Sequence, residues 1–173
     1  KEVFPLVLKE IPSAEFCLAG SVGLVKPVEK LAQSTQCIRL GIVKDLKELY
    51  HAADVVINPD PNGTGIAIKS VEALSFSKPL VTSVRGARGL TEAAGRAFLV
   101  AGDSKSFANA IVDLLEDKSL YRKLCLNAFD FASLYQERNR QQLNNLLNHH
   151  CKTQAVPANI FQANRDSVIS SSL

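Results

Sequence analysis

The residues with the clearest chemical potential lie in Gly63-Thr64-Gly65-Ile66-Ala67-Ile68-Lys69-Ser70-Val71-Glu72-Ala73-Leu74. Asn62-Gly63 signals a turn, and Gly65 lets the backbone come close to whatever sits above it. Ile66, Ser70 and Leu74 then point one way, joined by Ala67 and Val71 at helical spacing, so a helix follows the loop. Thr64 is placed to cap it, its hydroxyl accepting from an orphan N–H of the first turn. A glycine-rich helix start offers free N–H groups and a partial positive charge, which suits a phosphate. Glu72 suits hydroxyl donors, and Lys69, three residues before it, shares its face near the helix start. This is the pattern of a nucleotide site.

Length and composition constrain the rest. A chain of 173 residues is long enough for one well-buried domain, and 46% hydrophobic with 21% charged residues are globular values. The net charge of +3 is small, and no basic arm with interleaved aromatics argues for nucleic acid. No apolar run reaches the length of a membrane span and no signal peptide opens the chain. Cys17, Cys37, Cys125 and Cys151 form neither a CxxC pair nor a zinc spacing, and His149 and His150 are adjacent, so no metal site is expected. Reduced thiols in a cytoplasmic protein are the expectation. The chain has no methionine and opens abruptly at Lys1, as an excerpt of a longer chain would.

The elements that must position the site follow in order. Residues 1–10 predict a short helix, interrupted early by Pro5 and stopped by Pro12. The apolar run at 14–20 predicts a strand buried on both faces, and a helix is expected between Lys26 and Gln33. Further strands are expected at 37–43, 54–59, 80–83 and 96–101, with a helix from Asp45 to Ala53. Ser104 is read as the cap of a helix through Leu115, Asp103 as a cap or turn residue, and Ser119 as the start of a long helix to His149. That last helix is amphipathic at first and then polar apart from Leu143, Leu146 and Leu147, a pattern suited to packing on a neighbouring domain or subunit. Strands alternating with helices in this way predict an α/β fold, a Rossmann-like parallel sheet with helices on both faces. Residues 1–151 would form that domain, and residues 152–173 a polar, loosely ordered tail.

The order of these segments resembles the C-terminal, donor-binding domain of group 1 (family 4-like) glycosyltransferases of GT-B fold, over roughly residues 1–135. Leu40–Tyr50 is similar to the family's glycine-bearing strand and following helix, and Ala52–Pro59 resembles its "aDv.v.P" strand. GTGIAIKSVEALSFSKPLVTS is similar to the "GTGIK.K..EAla.GkPVV.T" form of the signature, and residues 102–117 look like its final strand-to-helix segment.

The resemblance implies that Glu72 contacts the ribose hydroxyls of a nucleotide diphosphate sugar. It also implies that the backbone at Thr64, Gly65 and Ile66 meets the donor's phosphates or sugar, and that Val43 and Lys44 border the nucleobase. Lys69 matches a lysine of the GTGIK variant and would pair with Glu72 or reach a phosphate. Thr64 stands where the usual signature has its first Glu, and Ala67 replaces a lysine. The family's first strand, with its basic phosphate loop, is expected to be missing. So is the N-terminal acceptor-binding domain that supplies the catalytic base, so the catalytic residues are unknown and this chain alone is expected to be inactive. No cofactor or metal is expected. Arg85 and Arg88 follow a strand's C-terminal end, where open α/β sheets bind ligands. Two alternatives stay open. One is a non-catalytic nucleotide-binding or partner module. The other is a sugar-nucleotide epimerase, for which His51 is the sole histidine near the cleft.

Overall fold

The protein is described by a computed structural model at residues 2–20, 36–60, 65 and 67–153, with side chains as far as residue 148. The helix expected at Lys26–Gln33, the Asn62-Gly63 turn and the tail beyond residue 153 lie outside the described residues.

The chain opens with α1 (Val3–Glu10), whose third residue is Pro5. A proline there removes an N–H that has no intrahelical partner, so the helix runs on uninterrupted, contrary to the expectation. Val7 is its buried residue, and Phe4 reaches the ring of Phe16 at 5.4 Å between centroids. There follow β1 (Phe16–Ala19), β2 (Cys37–Gly41), α2 (Leu46–Ala52), β3 (Val56–Asn58), α3 (Ile68–Ser75) and β4 (Leu80–Ser83). A single 3-10 turn at Thr91–Ala93 leads to β5 (Leu99–Ala101), α4 (Ser104–Glu116) and α5 (Lys118–Thr153).

All five expected strands are present and every pairing is parallel. Among the described residues they form two sheets rather than one, β1-β2 and β3-β4-β5. β1 therefore has a single partner, and its Cys17 is exposed, where burial on both faces was expected. β4 is the central strand of its sheet and is covered on both faces. Val81 joins Val7, Phe107, Ile111, Leu114 and Leu124 in the main core cluster, on the side of α1 and α4. Leu80 and Thr82, also buried, point to the opposite face by strand alternation, and α3 packs on β3 and β4.

α4 is capped by Asp103 rather than Ser104. The Asp103 carboxylate accepts from the backbone N–H groups of Lys105 and Ser106, each at 2.8 Å, while the Ser106 hydroxyl closes the capping box. Ser104 becomes the first helical residue and donates instead to Glu2 at 2.6 Å. The bond from the Ser106 N–H, then that from its hydroxyl, holds the Asp103 carboxyl below its usual range. A depressed carboxylate pKa contributes stability above the unfolded value that is lost as pH falls through the folded one. The melting temperatures of the native chain and Asp103→Ala should therefore differ at neutral pH and converge as the solution is acidified below about pH 3.9. A constant gap from pH 7 to pH 2 would refute the cap's ionic character.

The described part of the chain divides into two compact units, residues 1–134 and 135–173. The described residues of the second, 135–153, continue α5 as a polar helix with an Arg140–Glu137 ion pair at 2.8 Å and with Leu143, Leu146 and Leu147 exposed. No helix among the described residues is long and apolar enough to cross a membrane.

Candidate functional site

Two helices converge on Glu72. α2 is started by Asp45, which accepts from the Lys47 N–H at 2.8 Å, and this cap places Tyr50 on the buried side of the helix. Tyr50 donates its hydroxyl to Glu72 Oε2 at 3.1 Å, and its ring stacks on Phe76 with centroids 4.8 Å apart and planes 14° from parallel. Glu72 and the C-cap Phe76 lie four residues apart, so one side chain touches both the middle of α3 and its C-terminal end. His51, exposed, meets the Phe76 ring edge-on, and Lys78 donates to the His51 carbonyl at 3.0 Å. Burial first, then the charge of Glu72 and the hydrogen bond to it, push the Tyr50 phenol well above its ordinary range. Tyr50 thus remains a proton donor to the carboxylate throughout the neutral range.

The start of α3 differs from the expected one. Ala67 is the N-cap and makes no side-chain bond; Ser70 N and Val71 N both bond to its carbonyl, at 2.9 and 3.2 Å. The N–H groups of Ile68 and Lys69 have no intrahelical acceptor, so the donors suited to an anion belong to these residues. Thr64 and Ile66 lie outside the described residues, while Gly65 is exposed. Lys69 is exposed too, and among the described residues Glu72 bonds to Tyr50, not to Lys69. Val43 is half-buried and Lys44 exposed, in the short segment between Gly41 and the Asp45 cap.

Beneath the start of α3 lies a buried polar knot that sequence reasoning missed. Asn58, Ser70 and Thr82 are each no more than 1% exposed. Asn58 Nδ2 donates to Ser70 Oγ at 3.0 Å, Ser70 Oγ donates to the Gly86 carbonyl at 3.2 Å, and Thr82 Oγ1 donates to the Asn58 carbonyl at 3.0 Å. Ser83 Oγ accepts from Gly86 N at 3.0 Å and donates to the Asp60 carbonyl at 2.6 Å. The knot ties the first turn of α3 to the C-terminal ends of β3 and β4 and to the loop after β4. Short polar residues at the ends of apolar strands were the available signal.

An open cleft of about 370 Å³ crosses the C-terminal ends of β3, β4 and β5, bordered by Pro59, Asp60, Ser83, Arg85, Asp103 and Ser104. Of the residues singled out from sequence, Arg85 and Asp103 line it, whereas Val43, Lys44, Lys69 and Glu72 do not. Arg88 is exposed. Among the described residues no cluster of His, Cys, Asp and Glu is arranged to hold a metal ion.

Comparison with known proteins agrees with this architecture. The chain is 28% identical over 145 residues to the poly(glycerol-phosphate) alpha-glucosyltransferase of Bacillus subtilis (strain 168), covering 80% of this chain and 21% of that protein. Its fold is similar to that of Anabaena Alr3699/HepE in complex with UDP and glucose, with a TM-score of 0.70 and 22% identity over 83% of this chain and 43% of the other. It is also similar to the C-terminal domain of LpcC, a glycosyl transferase group 1 family protein from Francisella tularensis, with a TM-score of 0.65 and 20% identity over 77% and 75% of the two chains. The chain spans no more than about a third of the curated relatives it matches, 35% of one and 21% of another. Residues 1–117 match the model of the family described as "Glycosyl transferases group 1". The chain belongs to that family, the group 1 glycosyltransferases of GT-B fold.

Proposed function

We propose that this chain is the donor-binding half of a cytoplasmic glycosyltransferase that moves a sugar from a nucleotide diphosphate donor to an acceptor hydroxyl. The observation that carries this reading is the pairing of an uncapped α3 N-terminus with a held carboxylate, Glu72, one turn further along the same helix. A nucleotide sugar presents the complement: a diphosphate for the N–H groups and a ribose diol for the carboxylate. The UDP and glucose bound to the Anabaena neighbour support the same ligand class.

In the proposed reaction negative charge develops on the departing diphosphate. The N–H groups of Ile68 and Lys69 at the start of α3, together with the backbone of the preceding Thr64, Gly65 and Ile66, stabilise that charge with the help of the Lys69 ammonium, and no metal is called for. Val43 and Lys44 border the nucleobase, and Glu72 fixes the donor through its ribose. The acceptor's general base comes from an acceptor-binding domain outside this chain.

The test is calorimetric titration of the chain with UDP, GDP and ADP. One of them should bind with a dissociation constant below about 1 mM, while no turnover of the matching nucleotide sugar is detected. Millimolar or weaker binding of all three defeats the donor-site reading, and turnover by the chain alone defeats the assignment of the base. A non-catalytic partner module is favoured by one observation, the exposed Leu143, Leu146 and Leu147 of α5. That reading expects nucleotide affinity to be indifferent to residue 72.

A further inference from the structure

We propose that Tyr50 is a positioning residue of the donor site: its hydroxyl sets the plane of the Glu72 carboxylate so that the remaining lone pairs face a ribose diol. This inference rests on the donor-binding reading above. A carboxylate has about four acceptor positions on its two oxygens. Tyr50 occupies one of them on Oε2, and among the described residues no other donor engages Glu72. A free carboxylate on a helix surface rotates about its last torsion in a broad, shallow well. One fixed donor removes that freedom while leaving Oε1 and the other side of Oε2 for two incoming hydroxyls.

The donor is itself rigid. The Tyr50 ring is buried against Phe76, 14° from parallel, and Phe76 is the C-cap of the helix that carries Glu72. The spacing between hydroxyl and carboxylate is therefore set by a ring held against Phe76, four residues after Glu72, rather than by a flexible loop. A solely structural bond between two helices would be served equally well by a carboxylate with no capacity to spare. Here the acceptor is half-buried and keeps unused lone pairs, which a second set of hydroxyls can fill.

The experiment is a double-mutant cycle on the chain, read with two probes, UDP and 2′,3′-dideoxy-UDP, by calorimetry. Tyr50→Phe keeps the stacked ring and removes the hydroxyl. It should weaken UDP about fivefold, leave dideoxy-UDP unchanged, and have no further effect on UDP once Glu72 is alanine. Equal weakening of both probes, no change in either, or full additivity with Glu72→Ala overturns the inference and leaves the donor site standing. A Tyr50→Phe chain that does not fold makes the hydroxyl a structural group and also overturns it. If Glu72→Ala itself leaves UDP affinity unchanged, the donor-site reading falls and takes this inference with it.

Discussion

Glu72→Ala is expected to weaken UDP binding by about 30-fold or more while the chain stays folded. The magnitude follows from the chemistry of the lost contacts. A hydrogen bond to a charged group contributes about 1.5–3 kcal/mol, and two ribose hydroxyls shared by one carboxylate correspond to at least the lower part of that range after desolvation of Glu72. Stability should fall by only about 1 kcal/mol, since Tyr50 loses one hydrogen bond, itself only partly buried, while its ring keeps its packing on Phe76. Calorimetry with UDP, beside thermal melting of the same samples, separates the two effects. A drop in melting temperature with unchanged affinity would make Glu72 an interhelical tie and nothing more.

Gly86→Ala is the substitution with the largest expected effect on folding. A Cβ at this position would lie 2.2 Å from Thr82 Oγ1, 3.0 Å from Asn58 Nδ2 and 3.1 Å from the Asn58 carbonyl oxygen. Thr82 cannot yield cheaply, because it is fully buried and its hydroxyl is committed to the Asn58 carbonyl. Overpacking of this kind costs about 1–3 kcal/mol, and the hydrogen bonds that share the site bring the expected loss to about 3–4 kcal/mol. Urea unfolding should show a lower midpoint with an unchanged slope. Thr82→Ala removes the clashing atom, so the double variant should be less destabilised than the sum of the two single ones. A Gly86→Ala chain within about 0.5 kcal/mol of native would mean that the loop after β4 simply shifts aside.

These two residues show what could be read in advance and what could not. The alternation of strands and helices was legible because each apolar run is bounded by turn chemistry, and Asp45 stands where a cap must. That Glu72 lies on a helix was legible from the helical spacing of its neighbours. The partnership of Tyr50 was not: its acceptor is 22 residues away, and only the tertiary fold brings the two together. Gly86 carries no local signal, since its role depends on the side chains of Thr82 and Asn58 meeting beneath it. The start of α3 was placed too early, at Thr64, because a hydroxyl residue after a glycine is a stronger local signal than Ala67, which caps without a side-chain bond. Among the described residues the parallel strands pair in two groups, which period-two patterning does not reveal because it identifies strands but not their neighbours.

The hold of Tyr50 on both the middle and the C-terminal end of α3 bears on how the donor site can be re-engineered. The segment proposed to border the nucleobase, Val43 and Lys44, runs directly into the helix whose second turn carries Tyr50. Under the proposed donor site, base preference and ribose orientation would therefore be coupled through α2. A graft that exchanges only the loop before Asp45 should leave the Tyr50–Glu72 bond in register, whereas one that imports a foreign α2 should reset it. Chimeras that alter donor choice should accordingly have their junction before Asp45, or else carry α2, Glu72 and Phe76 across together.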